Sequence, residues 1–380
     1  MNNLKVYVIS SVRPEPSSAG QVILHRHLTD IPSLECEVYG LEPEVVTTST
    51  VIRRIMGRLT QTRAQRFAQD FWAWRDGRWL DALLPTSVSD PTCSVVLTVA
   101  QGDASGAAQR FAQKHCLPLV TFFHDWWPDM VSLHPPFRRI LEQRFRELYR
   151  QSQLALCVSE GMRVELGPHH NAQVLSPIPS KVTQLPETSK RTNTLKVLYF
   201  GNLHEYGPMV AEALQEVKGH TQIRMEARGA NPSWPDSCLL EMEQAGLWHD
   251  FAPRAVLDRW FESADAFLVP MVFDPRMRRR METSFPSKMV EMAQMGKPLV
   301  VWGPEYCSAV QWAQRGDRAL CVTDPNPVAL RIALEKLVSS PEEYQRLSSA
   351  AIEAAQTDLC HVRIQAQFLE ALSGTLGMGD

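Results

Sequence analysis

Short, nearly continuous apolar runs recur along this chain, each closed by small or polar residues and followed by an amphipathic stretch. Leu4–Ser10 reads as a buried strand, Gly20 lies in a small-residue loop after it, and Gln21–Leu28 reads as a helix. Ser94–Ala100 is a second buried strand. A Gly/Asp/Ser loop at 101–106 leads into a helix over Ala107–His115. Leu119–Phe123 and Leu154–Val158 follow as strands, the latter ending at Ser159. Strands that are apolar on both faces and alternate with helices indicate a parallel sheet covered on both sides.

The rhythm breaks at Pro177–Thr194, where Pro177, Pro179 and Pro186 sit among polar residues without periodicity, as in an interdomain linker. It then restarts. Lys196–Phe200, Thr221–Ala227, Ala266–Pro270 and Pro298–Trp302 read as strands, and Pro325 to about Ser373 as helix. Ligands of open α/β sheets sit beyond the carboxyl ends of the strands. The loops after Ser10, Ala100, Phe123, Val158, Phe200, Ala227, Pro270 and Trp302 are therefore the candidate site loops.

The chain has 380 residues, and domains of about 100–200 residues make two the default. The net charge of −3 gives no global attraction to nucleic acid. None of the eight cysteines forms a CxxC pair, so neither a zinc site nor a redox motif is indicated, and a reducing compartment fits. No secretory signal pattern is visible, since Arg13-Pro14 closely follows the first apolar run, and no run reaches the ~18 apolar residues of a membrane span. The expectation is a cytoplasmic protein that meets membrane only from the surface. Residues 51–80 are the candidate contact. Ile52, Ile55, Met56 and Leu59 share a helical face, and Arg53, Arg54, Arg58, Arg63 and Arg66 decorate the segment with no acid before Asp70. An ordinary surface helix accounts for the same pattern.

The densest chemistry lies in METSFPSKMVEMAQMGKPLVVWG, residues 281–303. Ser284 and Ser287 flank Pro286, which suits a helix start. Gly296 stops that helix, and Pro298 opens the next strand. Free N–H groups at a helix start, with a hydroxyl and Lys288, suit a diphosphate. Glu291, one turn further in, is placed to hold a ribose diol. A plain capped helix with an exposed Lys and Glu explains the segment as well.

With these residues in view, 281–303 resembles the donor-binding signature of retaining GT-B glycosyltransferases of the family 4-like group. FESADAFLVP at 261–270 and GPEYCSA at 303–309 resemble the same family, and together the matches cover most of 196–355. HDWWPD at 124–129, CVSEGM at 157–162 and Gly20 are weaker matches. The resemblance implies an α/β GT-B fold, two Rossmann-like domains facing each other across a cleft. Residues 1–180 would bind the acceptor, with a helix of about 356–380 packing back on them, and 190–355 would bind the nucleotide-sugar donor. It implies metal-independent hexosyl transfer with retention to a glycan, lipid-linked or other hydroxyl, as in polysaccharide biosynthesis. No cofactor is needed beyond the donor, whose base is unread. His124, Asp125 and Glu291 would be the catalytic residues. Gly20, Gly201, Asn202, Arg228, Ser287, Lys288 and Glu291 would bind the donor. No nucleic acid partner and no metal ligands are expected.

The chain also departs from that family. The first of the family's two glutamates, eight positions apart, is replaced by Thr283, with Glu282 one place earlier. GNLHEYG at 201–207 carries Asn202 and Tyr206 near the places of the family's arginine and lysine. Lys288, Arg228 and the run Arg276, Arg278, Arg279, Arg280 are candidates to replace that cationic clamp, although such a run is also an ordinary solvated face. His124 reads equally as a partly buried core residue, and Asp125 as a turn cap. Trp126 and Trp127 read as a sugar-stacking wall or as packing. A GT-B nucleotide-sugar epimerase and a non-catalytic sugar-nucleotide-binding or partner protein stand as alternative functions.

Overall fold

The computed structural model describes residues 4–16, 19–40, 64–182, 194–230 and 232–376. Residues 51–63 of the basic stretch, and 183–193 of the Pro-rich one, lie outside the described residues. The chain divides into two compact units, 1–176 with 364–380, and 177–363.

The first unit is built on six strands: β1 (Leu4–Ile9), β2 (Leu34–Tyr39), β3 (Ser94–Val99), β4 (Leu119–Phe123), β5 (Leu154–Cys157) and β6 (Ala172–Val174). They pair in the order β2-β1-β3-β4-β5-β6, every pair parallel. Chain order reverses between β1 and β3, the doubly wound arrangement whose ligand crevice opens at that reversal. Helices Ala104–His115 and Pro135–Gln151 pack Phe111, Phe145, Leu148 and Tyr149 against Tyr7, Val96 and Phe123. Helix His361–Leu376 belongs to this unit from Ile364 onward. Its Phe368 ring lies 4.9 Å from His27 and 5.6 Å from Phe122, and Gln365 donates to the Arg26 carbonyl at 3.3 Å.

The second unit has β7 (Leu195–Phe200), β8 (Ile223–Arg228), β9 (Trp248–His249), β10 (Ala266–Pro270), β11 (Leu299–Trp302) and β12 (Leu320–Val322). Their order is β12-β11-β10-β7-β8-β9, again all parallel. Counted within the unit this is 6-5-4-1-2-3, the strand order of dinucleotide-binding Rossmann sheets, with its reversal between β7 and β10. Alternation along each strand splits the core in two. Leu195, Val197 and Tyr199 enter one layer with Leu268 and Trp302, while Leu198 enters the other with Phe267, Val269 and Val301.

The apolar runs located most of the central strands to within a residue or two. They did not reveal β2, an edge strand with no fully buried position, in which Glu35 and Val38 are exposed. Nor did they reveal β6, β9 and β12, which are three residues or fewer and end their sheets. The helical stretch after Pro325 is three helices, Pro327–Ser339, Pro341–Gln356 and His361–Leu376.

Candidate functional site

In the second unit Gly201, Asn202, Arg228 and Lys288 meet at the carboxyl end of β7. Gly201 is buried, and its N–H donates to the Arg228 carbonyl at 3.2 Å. The Tyr199 hydroxyl donates to the Asn202 carbonyl at 2.7 Å, and the Asn202 side chain accepts from the His204 N–H at 2.8 Å. That side chain thus shapes the turn after the strand. Lys288 reaches the same strand end, its Nζ 4.4 Å from the Phe200 ring centre.

Helix Ser287–Ala293 starts where the Pro-containing turn implied, but Pro286 itself occupies the N-cap position and no side chain caps the helix. The Ser284 carbonyl instead accepts from the Ser308 hydroxyl. Glu291 accepts from the Ser180 N–H at 3.1 Å through Oε1, and His361 Nδ1 lies 2.9 Å from the Pro179 carbonyl. Pro179 and Ser180, at the start of the Pro-rich segment, are therefore held by His361 and Glu291. Arg228 donates to the Asp250 carbonyl at 2.8 Å and lies over Trp260 at 5.3 Å.

The arginine run divides by partner. Arg276 pairs with Asp274 on the surface, and Arg278 pairs with Glu282 one turn along. Glu282 therefore serves an i,i+4 ion pair. Arg280 is different: its side chain is only 16% exposed and it pairs with Glu205, inside the loop after β7. A cation that the loop's own sequence lacks reaches it from residues 75 positions away. Thr283, in the place of the family's first glutamate, is buried and bonds back to the Arg279 carbonyl at 2.8 Å.

Two glycines outside the expected donor-binding set fix the backbone here. A Cβ on Gly229 would lie 2.2 Å from the Gly201 carbonyl oxygen, and one on Gly303 would lie 2.4 Å from the Met271 Cβ. Each directly follows a strand or ends its loop, which was the available signal. Gly20, by contrast, lies in the first turn of helix Ala19–Leu28, where a Cβ would make an ordinary 3.7 Å contact with Val12.

In the first unit, His124 and Asp125 follow β4. The His124 ring is half-buried and 5.2 Å from Phe122. Burial drives its pKa down to about 4, against the opposing pull of the Asp125 charge. The imidazole is thus neutral at pH 7 and acts as a hydrogen-bonding group rather than a cation. Because the folded-state value lies below the ordinary 6.5, this group's contribution to stability is complete above about pH 6.5 and is lost as pH falls toward 4. A His124→Gln variant is expected to lose less stability than the native chain between pH 7 and 4.5. Urea midpoints at the two pH values check this; equal losses would rule out the buried neutral histidine.

Trp126 resolves the choice between a sugar wall and packing. It is fully buried among the core side chains, with Nε1 donating to Glu142 at 3.0 Å. Trp127 is half-buried and lines a cavity of about 380 Å³ with Ser11, Trp72, Gly102, Asp103 and Leu133, among others. Phe67 and Trp74 of helix Gln65–Arg75 project into solvent, 68% and 58% exposed. Among the described residues no helix is long and apolar enough to cross a membrane, and no group of three or more His, Cys, Asp or Glu could hold a metal ion.

No family model matches the chain, and no curated protein matches it. Solved structures do. HepE from Anabaena, in complex with UDP and glucose, is 13% identical with a TM-score of 0.60, the match covering 98% of this chain and 100% of that one. Sucrose-phosphate synthase from Thermosynechococcus elongatus is 10% identical with a TM-score of 0.64, covering 99% and 100%. A glycosyltransferase from Rickettsia africae is 11% identical with a TM-score of 0.61, covering 100% of both chains. At these identities the likeness is one of fold, and with two parallel sheets each flanked by helices the chain has the GT-B α/β fold.

Proposed function

We propose that the protein transfers a hexosyl group from a nucleotide sugar to an acceptor hydroxyl, with retention at the anomeric carbon. The observation that carries this reading is full-length likeness to a chain solved with UDP, with UDP and glucose, and with UDP-glucose. The Rossmann strand order of the second unit supports it, because the proposed donor residues Gly201, Asn202 and Lys288 lie at the end of β7, beside the chain reversal. Gly201 and Asn202 would face the diphosphate through backbone and turn. Lys288 and Arg280 would balance its charge, and Glu291 would hold the ribose. Arg280 would stand in for the cationic clamp missing from GNLHEYG.

In the reaction, the bond from the anomeric carbon to the diphosphate oxygen breaks, and the acceptor oxygen forms the new glycosidic bond on the same face. The acceptor proton ends on the departing diphosphate. Catalysis of this kind rests on positioning and on stabilising the leaving charge. A neutral His124 suits hydrogen bonding to a sugar hydroxyl, and Asp125 beside it keeps a donor-side or acceptor-side hydroxyl as its proposed partner.

Thermal stabilisation by a panel of nucleoside diphosphates and nucleotide sugars tests the donor site, since a ligand of the native state raises its melting point by mass action. One nucleotide is expected to stabilise the native chain, and Glu291→Ala to weaken it about tenfold, the value of a charge-assisted hydrogen bond. A lowered basal melting point with an intact nucleotide shift would make Glu291 only the tether of Ser180. No shift by any nucleotide at millimolar concentration would remove the donor reading. Where transfer occurs, the anomeric proton coupling of the product reads retention directly.

A further inference from the structure

The cavity beside Trp127 lies wholly in the first unit and opens where that sheet reverses. Ser11 directly follows β1, and Gly102 and Asp103 follow β3, so the two strands flanking the reversal both contribute to it. This is where a doubly wound sheet takes a ligand. Trp127 opens the short helix Trp127–Met130 that follows the loop carrying His124.

Its floor is rigid. Gly102 has φ +75° and its missing Cβ would lie 2.3 Å from the Ser11 hydroxyl oxygen, while a Cβ on Gly77 would lie 2.2 Å from the Asp103 carbonyl. Most of the polar lining is already committed. Asp103 accepts from Trp79 Nε1 at 2.7 Å and from the Ser11 hydroxyl at 3.4 Å. The Ser11 hydroxyl in turn accepts from the Ala104 N–H at 3.1 Å. Asp76 pairs with Arg110 at 3.2 Å. Gln69 adds no acceptor to the cavity, because its Oε1 has no accessible surface. The remaining wall is Trp72, Ala73, Trp127, Val131, Leu133 and Leu141.

A sugar needs several donors and acceptors, whereas Asp103, Ser11 and Asp76 are committed to partners within the fold. An apolar body matches the cavity, lying against the tryptophans and leucines. We infer that the cavity holds the apolar aglycone of the acceptor, an alkyl or prenyl-like chain, so that the protein acts on an amphiphilic acceptor and not on a free glycan. The inference deepens the transferase reading and rests on it for the word acceptor; the binding itself does not.

The test compares octyl β-glucoside, below its micelle concentration, with methyl β-glucoside, followed by tryptophan fluorescence on the full chain. The octyl compound is expected to saturate the signal and bind at least about tenfold more tightly, since two buried methylenes suffice for that. Ala73→Phe, which fills the cavity, is expected to abolish the preference; Val131→Phe repeats the filling from a second element should the first variant not fold. Equal binding of the two glucosides, or an octyl preference that survives both filled variants, overturns the inference. Nucleotide stabilisation of the same samples keeps the failures apart. Octyl preference without any nucleotide shift strikes the transferase reading alone, and a nucleotide shift without octyl preference strikes the cavity alone.

Discussion

Trp126→Ala is expected to destabilise the first unit by about 3–5 kcal/mol, the usual cost of truncating a buried large aromatic. Trp126 has no exposed surface, its ring lies 5.0 Å from Phe145, and the Arg146 guanidinium lies 4.8 Å above it. Truncation empties that space and leaves the Glu142 carboxylate without the indole N–H that now donates to it at 3.0 Å. For a unit of this size the loss is roughly 10 °C in melting point. The neighbouring Trp127 serves as the control. It is half-buried against the cavity, so Trp127→Ala should cost little stability and weaken octyl glucoside binding instead. A Trp126→Ala protein that melts with the native chain would put the ring back among the ligand-facing residues.

Gly229→Ala carries the second large effect. The added Cβ would meet the Gly201 carbonyl oxygen at 2.2 Å, inside any van der Waals contact. Neither side can yield easily. The Gly201 N–H is bonded to the Arg228 carbonyl, the Gly229 N–H to the His249 carbonyl at 3.2 Å, and the Gly229 carbonyl accepts from Trp248 Nε1 at 3.1 Å. The obstacle is backbone, so no rotamer relieves it. The expected cost is about 3 kcal/mol, the upper end for overpacking a tight site. Because the strain falls on Gly201 and the turn shaped by Asn202, the nucleotide shift should fall with the stability. Denaturant midpoints and the nucleotide shift, measured together, check it; a variant with both unchanged would show that the two loop ends are not in contact.

The extent to which sequence foretold this structure follows burial. Strands covered on both faces must be apolar at every position, so the central strands announce themselves as unbroken runs such as SVVLTV and AFLVP. Edge strands need no such run, and LECEVY passed unnoticed. The loops at the strand ends were legible for the same reason, because a strand's end is where its apolar run stops.

Which side chains meet at those loops was a different matter. Glu282 and Thr283 differ by one position in the chain, yet one is an ion-pair partner near the surface and the other is buried. In the HDWWPD motif Trp126 and Trp127 read alike as a sugar wall or as packing, but helix Pro135–Gln151 covers Trp126 and leaves Trp127 at the cavity.

By itself, the sequence determined the alternation of parallel strands and helices in two halves, because periodicity and burial are local properties repeated many times. Tertiary structure alone decided the strand orders, the glycine contact between β7 and β8 ends, the arrival of Arg280 at a loop without a cation, and the apolar cavity at the β1/β3 reversal. Each of these is a meeting of segments distant in sequence, and no local pattern encodes the distance between two residues that only a completed sheet brings together.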